Sequence, residues 1–124
     1  MRKTYQIERG VTVENGKTVV ISTRLNEAYG YCTGFFLVNT DGVATTLDGV
    51  TLGLTIGDRE VLPLGCDAGL FEVTTTLTPE EAHYDFKEDG IPARSSEAQL
   101  TLSFDRSDGT ASRTVNVYYI LENR

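Results

Sequence analysis

The chain has 124 residues, of which 40% are hydrophobic and 23% charged, as is typical of one folded domain and not of a disordered chain. Its formal net charge of −7, from 18 acidic and 11 basic side chains, argues against nucleic acid or an anionic membrane surface as a main partner. No apolar run is long enough to cross a membrane, and no apolar segment of a signal peptide follows the N-terminal charges, so we expect a protein made in the cytoplasm.

The first two strands are predicted on either side of a turn at Asn15 and Gly16. Asn-Gly between alternating runs indicates a β-hairpin, because both central residues of a type I′ turn need positive φ. The return strand covers residues 18–23, and residues 24–30 form a polar loop. The first strand, over residues 3–13, is predicted to place four apolar side chains on one face: Tyr5, Ile7, Val11 and Val13.

Three strands are predicted in the middle of the chain. Residues 31–38 are apolar on both faces at their centre, which favours a central position in a sheet. A tight turn at Gly57 and Asp58 leads into a strand over residues 59–64. Because Pro63 lacks an N–H, this strand is predicted to lie at a sheet edge or to end there. Before that turn, four alternating residues are predicted to face one way: Val50, Leu52, Leu54 and Ile56.

The C-terminal half is predicted to hold a strand over residues 70–77, a short helix near 79–86 and two long strands. Thr78 can cap the helix, Pro79 suits its first position, and Glu81 completes a capping box. The two long strands are predicted to share an alternating pattern whose apolar members are Ala98, Leu100, Leu102 and Phe104, then Val115, Val117, Tyr119 and Leu121.

About eight short strands with Gly-containing turns between many of them predict an all-β fold. The expected architecture is a two-sheet antiparallel β-sandwich, with a jelly roll as one form of it and a small barrel as the alternative. The chain shows no internal repeat, no linker and no low-complexity tract. We therefore predict one domain that covers residues 1–124.

Candidate acid–base residues gather around the predicted helix. His83 is the only histidine, and a histidine beside acids can tune a proton transfer, but no nucleophile is marked near it. Glycoside hydrolysis needs two carboxylates held across a cleft, and Glu80, Glu81 and Asp85 are only neighbours on a short helix. We therefore favour structural roles for all four side chains.

Metal and thiol chemistry is also weakly supported. Cys32 and Cys66 lack CxxC spacing, and two free thiols are favoured over one disulfide. A cysteine nucleophile would need a basic partner, and only His83 is present. We predict no catalytic, cofactor-binding or metal-binding residue and no enzyme. A surface calcium ion stays open at one of the Asp positions that first of all signal turns: Asp41-Gly42, Asp48-Gly49, Asp58, Asp89-Gly90 and Asp108-Gly109.

The tyrosines offer one further candidate surface. Tyr118 and Tyr119 are adjacent in a predicted strand, so one of them should face away from the core. An exposed tyrosine beside Asn116 can belong to a sugar-binding face or to a protein interface. Tyr29 and Tyr31 flank Gly30. A scattered surface tyrosine is the simpler interpretation of an exposed ring.

The segment from Leu47 to Pro63 combines an alternating apolar strand, a Gly-Asp turn and a Glu-apolar-apolar-Pro strand. It resembles the hairpin of small, jelly-roll-like β-sandwich structural proteins of bacteriophage particles. The resemblance implies a homo-oligomeric capsid, vertex or decoration component that packs against other virion proteins after assembly in the host cytoplasm. The rival hypothesis is a carbohydrate-binding or adhesive module, which needs an exposed aromatic platform. A small enzyme would need a polar pocket, for example around His83.

Overall fold

The computed structural model describes residues 2–40, 47, 49–57, 59–73, 84–85, 91–92, 96–105 and 112–123. In this part of the chain the only helical element is a 3₁₀ turn, Ala68–Phe71. Ten strands account for most of the rest: β1 (Arg2–Glu14), β2 (Lys17–Arg24), β3 (Tyr31–Asn39), β4 (Val50–Ile56), β5 (Arg59–Asp67), β6 (Glu72–Val73), β7 (Tyr84–Asp85), β8 (Ile91–Pro92), β9 (Glu97–Phe104) and β10 (Ser112–Asn123).

The strands form two sheets that pack face to face. The first sheet has the order β1-β10-β3, with β6, β7 and β8 all paired along the far side of β3. The second has the order β2-β9-β4-β5. Every pairing is antiparallel except that of β3 with β6. The predicted all-β fold and its β-sandwich are therefore confirmed, and the alternative of a single barrel is not what forms.

The core lies between the two sheets and follows the predicted alternation on β4, β9 and β10. Successive side chains of a strand point to opposite faces, so every second residue of these strands is inside. The twelve inward residues named from the sequence are all at most 3% exposed: Val50, Leu52, Leu54, Ile56, Ala98, Leu100, Leu102, Phe104, Val115, Val117, Tyr119 and Leu121.

β3 occupies the central position that its apolar sequence predicted. One of its edges pairs with β10, and the other pairs in turn with β8, β7 and β6. Phe35 and Leu37 belong to the core between the sheets, whereas Phe36 lies opposite Tyr118 on the outer face of the first sheet. A strand covered on both faces and both edges needs apolar residues at consecutive positions, as this one has.

The hairpin predicted at Asn15 and Gly16 is wrong. Gly16 does take a positive φ, of 81°, as the turn chemistry requires. However, β1 pairs with β10 and β2 pairs with β9, so the turn is a corner that carries the chain from one sheet to the other. The Gly16 amide donates to the Phe104 carbonyl at 2.7 Å, which holds the corner on β9. The local sequence specifies the backbone of the turn but not the partners of the strands that leave it.

A β-bulge interrupts β1 at Arg9 and Gly10. Two residues of β1 lie here opposite the single residue Asn116 of β10, because the register moves from Glu8–Val117 to Val11–Val115. Gly10 has a φ of 67°, and its amide donates to Asn116 Oδ1 at 3.0 Å. The extra residue reverses which face each following side chain occupies.

The bulge overturns the prediction that four apolar residues of β1 share one face. Val11 and Val13, after the bulge, are buried in the core. Tyr5 and Ile7, before it, lie opposite Ile120 and Tyr118 on the outer face. An alternating pattern alone does not reveal such a reversal, because the residue types on both sides of the bulge remain apolar.

The region after β5 also differs from prediction. Residues 68–71 form the 3₁₀ turn where a strand over 70–77 was expected to begin, and Glu72–Val73 of that strand is extended. Residues 74–77 lie outside the described residues. The Asp67 carboxylate caps this turn by accepting from the Gly69 amide at 3.0 Å. Of the helix predicted near 79–86, the structure describes Tyr84–Asp85, which form strand β7 instead. The other positions of that prediction lie outside the described residues.

β5 bulges over Gly53 of β4. The register changes from Leu54–Leu62 to Leu52–Cys66, so β5 has extra residues, Leu64 among them, opposite Gly53. A Cβ atom at Gly53 would lie 2.7 Å from Leu64 Cδ2 and 3.1 Å from both Leu64 N and Cα. This close approach of two backbones explains the glycine in an otherwise alternating strand.

We expect Gly53→Ala to lower the free energy of unfolding by about 1–3 kcal/mol, because β5 must move away from the new methyl group. Chemical denaturation at neutral pH measures the change. Gly30→Ala is the matched control, since a Cβ there would meet only Asn123 Oδ1, at 3.9 Å. Equal losses in the two variants would show that the approach of Leu64 is not what requires glycine.

Candidate functional site

The predicted acid–base and calcium candidates lie almost wholly outside the described residues. This holds for His83, Glu80 and Glu81, and for the Asp residues at 41, 48, 58, 89 and 108. Asp85 is in β7, where it lies opposite Gly34 of β3. Within the described ranges, no cluster of three or more His, Cys, Asp or Glu side chains is placed to hold a metal ion. No described helix has the length and apolarity to span a membrane.

The two cysteines are free thiols, as predicted. Cys32 is fully buried on β3, and its Sγ donates to the Gly34 carbonyl at 3.6 Å. Loss of solvent raises the pKa of the Cys32 thiol from 9.0 to about 12, so it stays protonated and unreactive at neutral pH. Cys66 lies on the edge strand β5 and is half-buried against the core.

A shallow depression lies where the end of β4 meets β8. It has a volume of about 550 Å³ and is widely open to solvent. Among the described residues that line it, Arg59 is the one charged side chain. The described lining consists of Ile56, Gly57, Arg59, Ile91, Pro92 and Ser96. The described part of this lining does not supply the several converging polar groups of a catalytic pocket.

Three aromatic rings form a cluster on the outer face of the first sheet, which we call the outer aromatic cluster: Tyr5, Phe36 and Tyr118. Phe36 and Tyr118 stack with centroids 4.7 Å apart and planes at 12°. The Tyr5 ring meets both of them edge-on, at 5.7 and 6.3 Å. Tyr118 thus lies outside and Tyr119 inside, as their adjacency predicted.

Most of the outer aromatic cluster is covered by its own members. Phe36 is buried and Tyr118 half-buried, and Tyr5 is the exposed ring at 44%. The Asn116 side chain, expected beside an exposed tyrosine, accepts the Gly10 amide with its Oδ1 atom and so supports the bulge. Tyr29 packs against the core and Tyr31 is half-buried, so neither forms an open platform. The pairing of Tyr5 with this face was not predicted, because it depends on the bulge in β1.

Polar side chains of β1 join the two sheets along one side of the sandwich. Gln6 Nε2 donates to the Arg24 carbonyl at 2.8 Å, and Gln6 Oε1 accepts from the Asn26 amide at 2.9 Å. Thr23 Oγ1 donates to Glu8 Oε2 at 2.6 Å. The reversal of faces at the bulge turns these even-numbered residues of β1 inward, where they bond to the end of β2.

The sheet edges differ in how they are protected against pairing with other chains. β1 has its bulge, and β5 has Pro63 together with the bulge over Gly53. The strand with Pro63 therefore lies at an edge, as one of the two predicted alternatives had it, and it does not end at Pro63 but continues to Asp67. The far edge of β3 is occupied by β6, β7 and β8. Proline, bulges and covering segments are the usual means of blocking an edge. β2, the fourth edge, pairs with β9 over eight consecutive residues without a bulge or a proline.

Comparison of the chain with protein-family models, with curated proteins and with solved structures gives no match.

Proposed function

We propose that this chain is a structural protein of a virus particle, a capsid, vertex or decoration component that acts through protein–protein packing. The strand order of the two sheets carries this proposal. If β6, β7 and β8 are counted as one strand, the orders β1-β10-β3-β6/7/8 and β2-β9-β4-β5 correspond to an eight-stranded jelly roll. Jelly rolls serve as viral capsid and lectin domains and as cupins. A role in a virus particle is inferred from this strand order by analogy between folds.

The described surface favours contacts with other proteins over catalysis. Several large apolar side chains are exposed, among them Val20, Leu64 and Leu70. Arg59 is the one charged side chain among the described residues that line the open depression. The buried Cys32 thiol is protonated at neutral pH, and burial raises its pKa to about 12. These features favour a role in which the chain contacts other proteins and catalyses no reaction.

The region that resembles phage structural proteins forms a β-hairpin. β4 and β5 pair antiparallel from Ile56–Arg59 onward, and Gly57 at the turn has a φ of 60°. This hairpin gives the second sheet its β5 edge. The segment that carries the resemblance thus forms the hairpin that the resemblance implies, which supports the proposal.

A carbohydrate-binding module is the second candidate, because lectins share the jelly-roll strand order. The outer aromatic cluster favours it, since the exposed Tyr5 ring gives a sugar one possible stacking surface. Against it, the rings of Phe36 and Tyr118 stack on each other, so one face of each ring is already engaged and closed to a sugar.

Light scattering across a protein concentration series tests the proposal. Trimers, pentamers or larger closed assemblies would support a particle component, because subunits of particles associate with closed symmetry. A strict monomer that binds a glycan in a screen, and loses that binding in Tyr5→Ala, would overturn the proposal in favour of the carbohydrate-binding module. Assembly without glycan binding would argue against that second candidate.

A further inference from the structure

Among the described strands, β2 lies at the edge of the second sheet, pairs with β9 alone and has an apolar centre. Val19 and Ile21 pack against the core, while Val20 on the outer face is 57% exposed. Its pairing with β9 runs without irregularity from Lys17 to Arg24. A regular, exposed edge of this kind is a template for pairing with another strand.

The register of β2 with β9 determines which β2 residues direct their N–H and C=O groups to the free side of the strand. The Leu25 amide donates to the Ser96 carbonyl at 2.9 Å, next to the last strand pair, Arg24–Glu97. Since hydrogen-bonded pairs alternate along an antiparallel ladder, the odd-numbered residues of β2 bond to β9. The even-numbered residues therefore point away from β9. The carbonyl of Arg24 follows this rule, because it accepts from Gln6 Nε2 of β1.

We propose that β2 pairs antiparallel with β2 of a second copy of the chain, about a two-fold axis at Val20. In this register Val20 lies opposite Val20 of the second copy, and Thr18 lies opposite Ser22. These are the three β2 residues whose N–H and C=O groups face the free edge and are not engaged by Gln6. Each opposed pair then exchanges two backbone hydrogen bonds, and the two second sheets become one continuous sheet.

The side chains of β2 are self-complementary in this register. Val20 meets Val20 on the outer face, and Val19 meets Ile21 on the core face. Thr18 meets Ser22, which repeats a hydroxyl pair already present in one copy, where Thr18 Oγ1 and Ser103 Oγ lie 2.9 Å apart. Opposed apolar and hydroxyl pairs of this kind stabilise antiparallel strands.

The charges of β2 also permit pairing of two copies. Lys17 and Arg24 lie at the two ends of the strand, opposite Thr23 and Gly16 of the second copy and not opposite each other. No acidic residue lies on β2, although the whole chain has a net charge of −7. Two copies therefore meet along β2 without opposed like charges, which would oppose pairing.

Such a contact is short, so we expect a weak dimer whose formation depends on concentration. A weak two-fold contact becomes effective when each subunit is also held by other contacts, as in an assembly of many copies. This inference rests on the proposed function and adds to it one contact between two copies of the chain.

The first test compares charge variants by light scattering and sedimentation from about 10 μM to about 1 mM protein. Val20→Lys places two like charges at the two-fold axis, and we expect it to weaken dimer formation about tenfold or more. Gln99→Lys is the matched control, because it adds the same charge to the same face on the interior strand β9. We expect the control to dimerise like the wild type. An equimolar mixture of Val20→Lys and Val20→Glu should restore dimers that neither variant forms alone.

The second test follows amide hydrogen exchange by NMR in the full chain. The amides of Val19 and Ile21 bond to β9 and should be protected at every concentration. The amides of Thr18, Val20 and Ser22 should exchange fast in dilute protein and become protected as dimers form. Far-UV circular dichroism and thermal unfolding check that each variant is folded.

The outcomes separate this inference from the proposed function. Oligomers that persist in Val20→Lys, with the three even-numbered amides still unprotected, would overturn pairing through β2 and leave a particle role in place. A β2 dimer that never grows larger would support the pairing and count against the particle role, because a single two-fold contact does not tile a shell. A wild-type monomer at every concentration would overturn the pairing.

Discussion

Phe35→Ala is expected to lower the free energy of unfolding by about 3–5 kcal/mol, the largest effect of any single substitution considered for this chain. Phe35 is completely buried on β3 and lies opposite Tyr119 in the register with β10. Its ring lies 5.1 Å from that of Phe71, which belongs to the 3₁₀ turn that leads into β6. Truncation therefore removes a core side chain and also the ring against which the turn packs.

Urea denaturation of the wild type, Phe35→Ala, Phe71→Ala and the double variant measures both effects. We expect the two single losses not to add, with a coupling of about 0.5–1.5 kcal/mol that reports the contact of the two rings. Leu70→Ala is the matched control, because Leu70 is in the same turn but is 68% exposed, and such a residue usually changes stability by less than about 0.5 kcal/mol. Additive losses would mean that Phe35 does not hold the turn through Phe71.

Alternating patterns predicted the core strands, because a strand with one buried face has an apolar residue at every second position. β4, β9 and β10 place every inward residue as expected, since each pairs with strands on both sides and has its inner face against the other sheet. The apolar centre of β3 predicted a central strand for the same reason. Patterns of burial thus determined which residues are inside, although not which strands are neighbours.

Strand partners were not predictable where they depend on distant parts of the chain. The turn at Gly16 has the positive φ that Asn-Gly favours, yet β10 and β9, nearly a hundred residues later, compete successfully for β1 and β2. The bulge at Gly10 is likewise fixed by Asn116 of β10. Such long-range contacts cannot be inferred from a short window of sequence. The corner at Gly16 and the reversed face of β1 were therefore found only in the structure.

Candidate surfaces were predicted less well than the core, for the same reason. The sequence correctly separated Tyr118 from Tyr119, because adjacency in a strand is a local property. It did not bring Tyr5 to Tyr118, and it did not identify Gln6 and Glu8 as inward residues that bond to the end of β2. Both arrangements follow from one extra residue in β1.

The remaining prediction concerns alkaline pH, where we expect stability to fall because of Cys32. Burial holds the pKa of this thiol at about 12 in the folded chain, against an ordinary value of 9.0. Below about pH 9 the thiol is protonated in both the folded and the unfolded chain, so its contribution is fully present. Above pH 9 only the unfolded chain loses the proton. The free energy of unfolding should then fall by about 1.4 kcal/mol per pH unit, until the folded thiol ionises near pH 12.

Ionisation of Tyr119 is also expected to lower the free energy of unfolding, but it begins at a higher pH. Burial raises the pKa of its phenol above the ordinary 10.0, and the nearby negative charges that Cys32 and Glu8 can carry raise it further. The two effects therefore begin at different pH values. Cys32 alone is expected to lower the free energy of unfolding between about pH 9 and 10, and both groups lower it above that range.

Urea denaturation between about pH 8 and about pH 10.5 measures the slope, and Cys32→Ala should remove the part that begins near pH 9. The variant also loses stability at neutral pH because it leaves a small cavity, so the difference in slope and not the absolute value is the readout. Cys66→Ala is the matched control, because it removes the other thiol, which is only half-buried. A change of slope that occurs in Cys32→Ala and not in Cys66→Ala assigns the effect to the buried thiol. If the wild type and Cys32→Ala lose stability in parallel as pH rises, the thiol of Cys32 is not the group that couples folding to pH, and other ionisations such as that of Tyr119 must account for the loss.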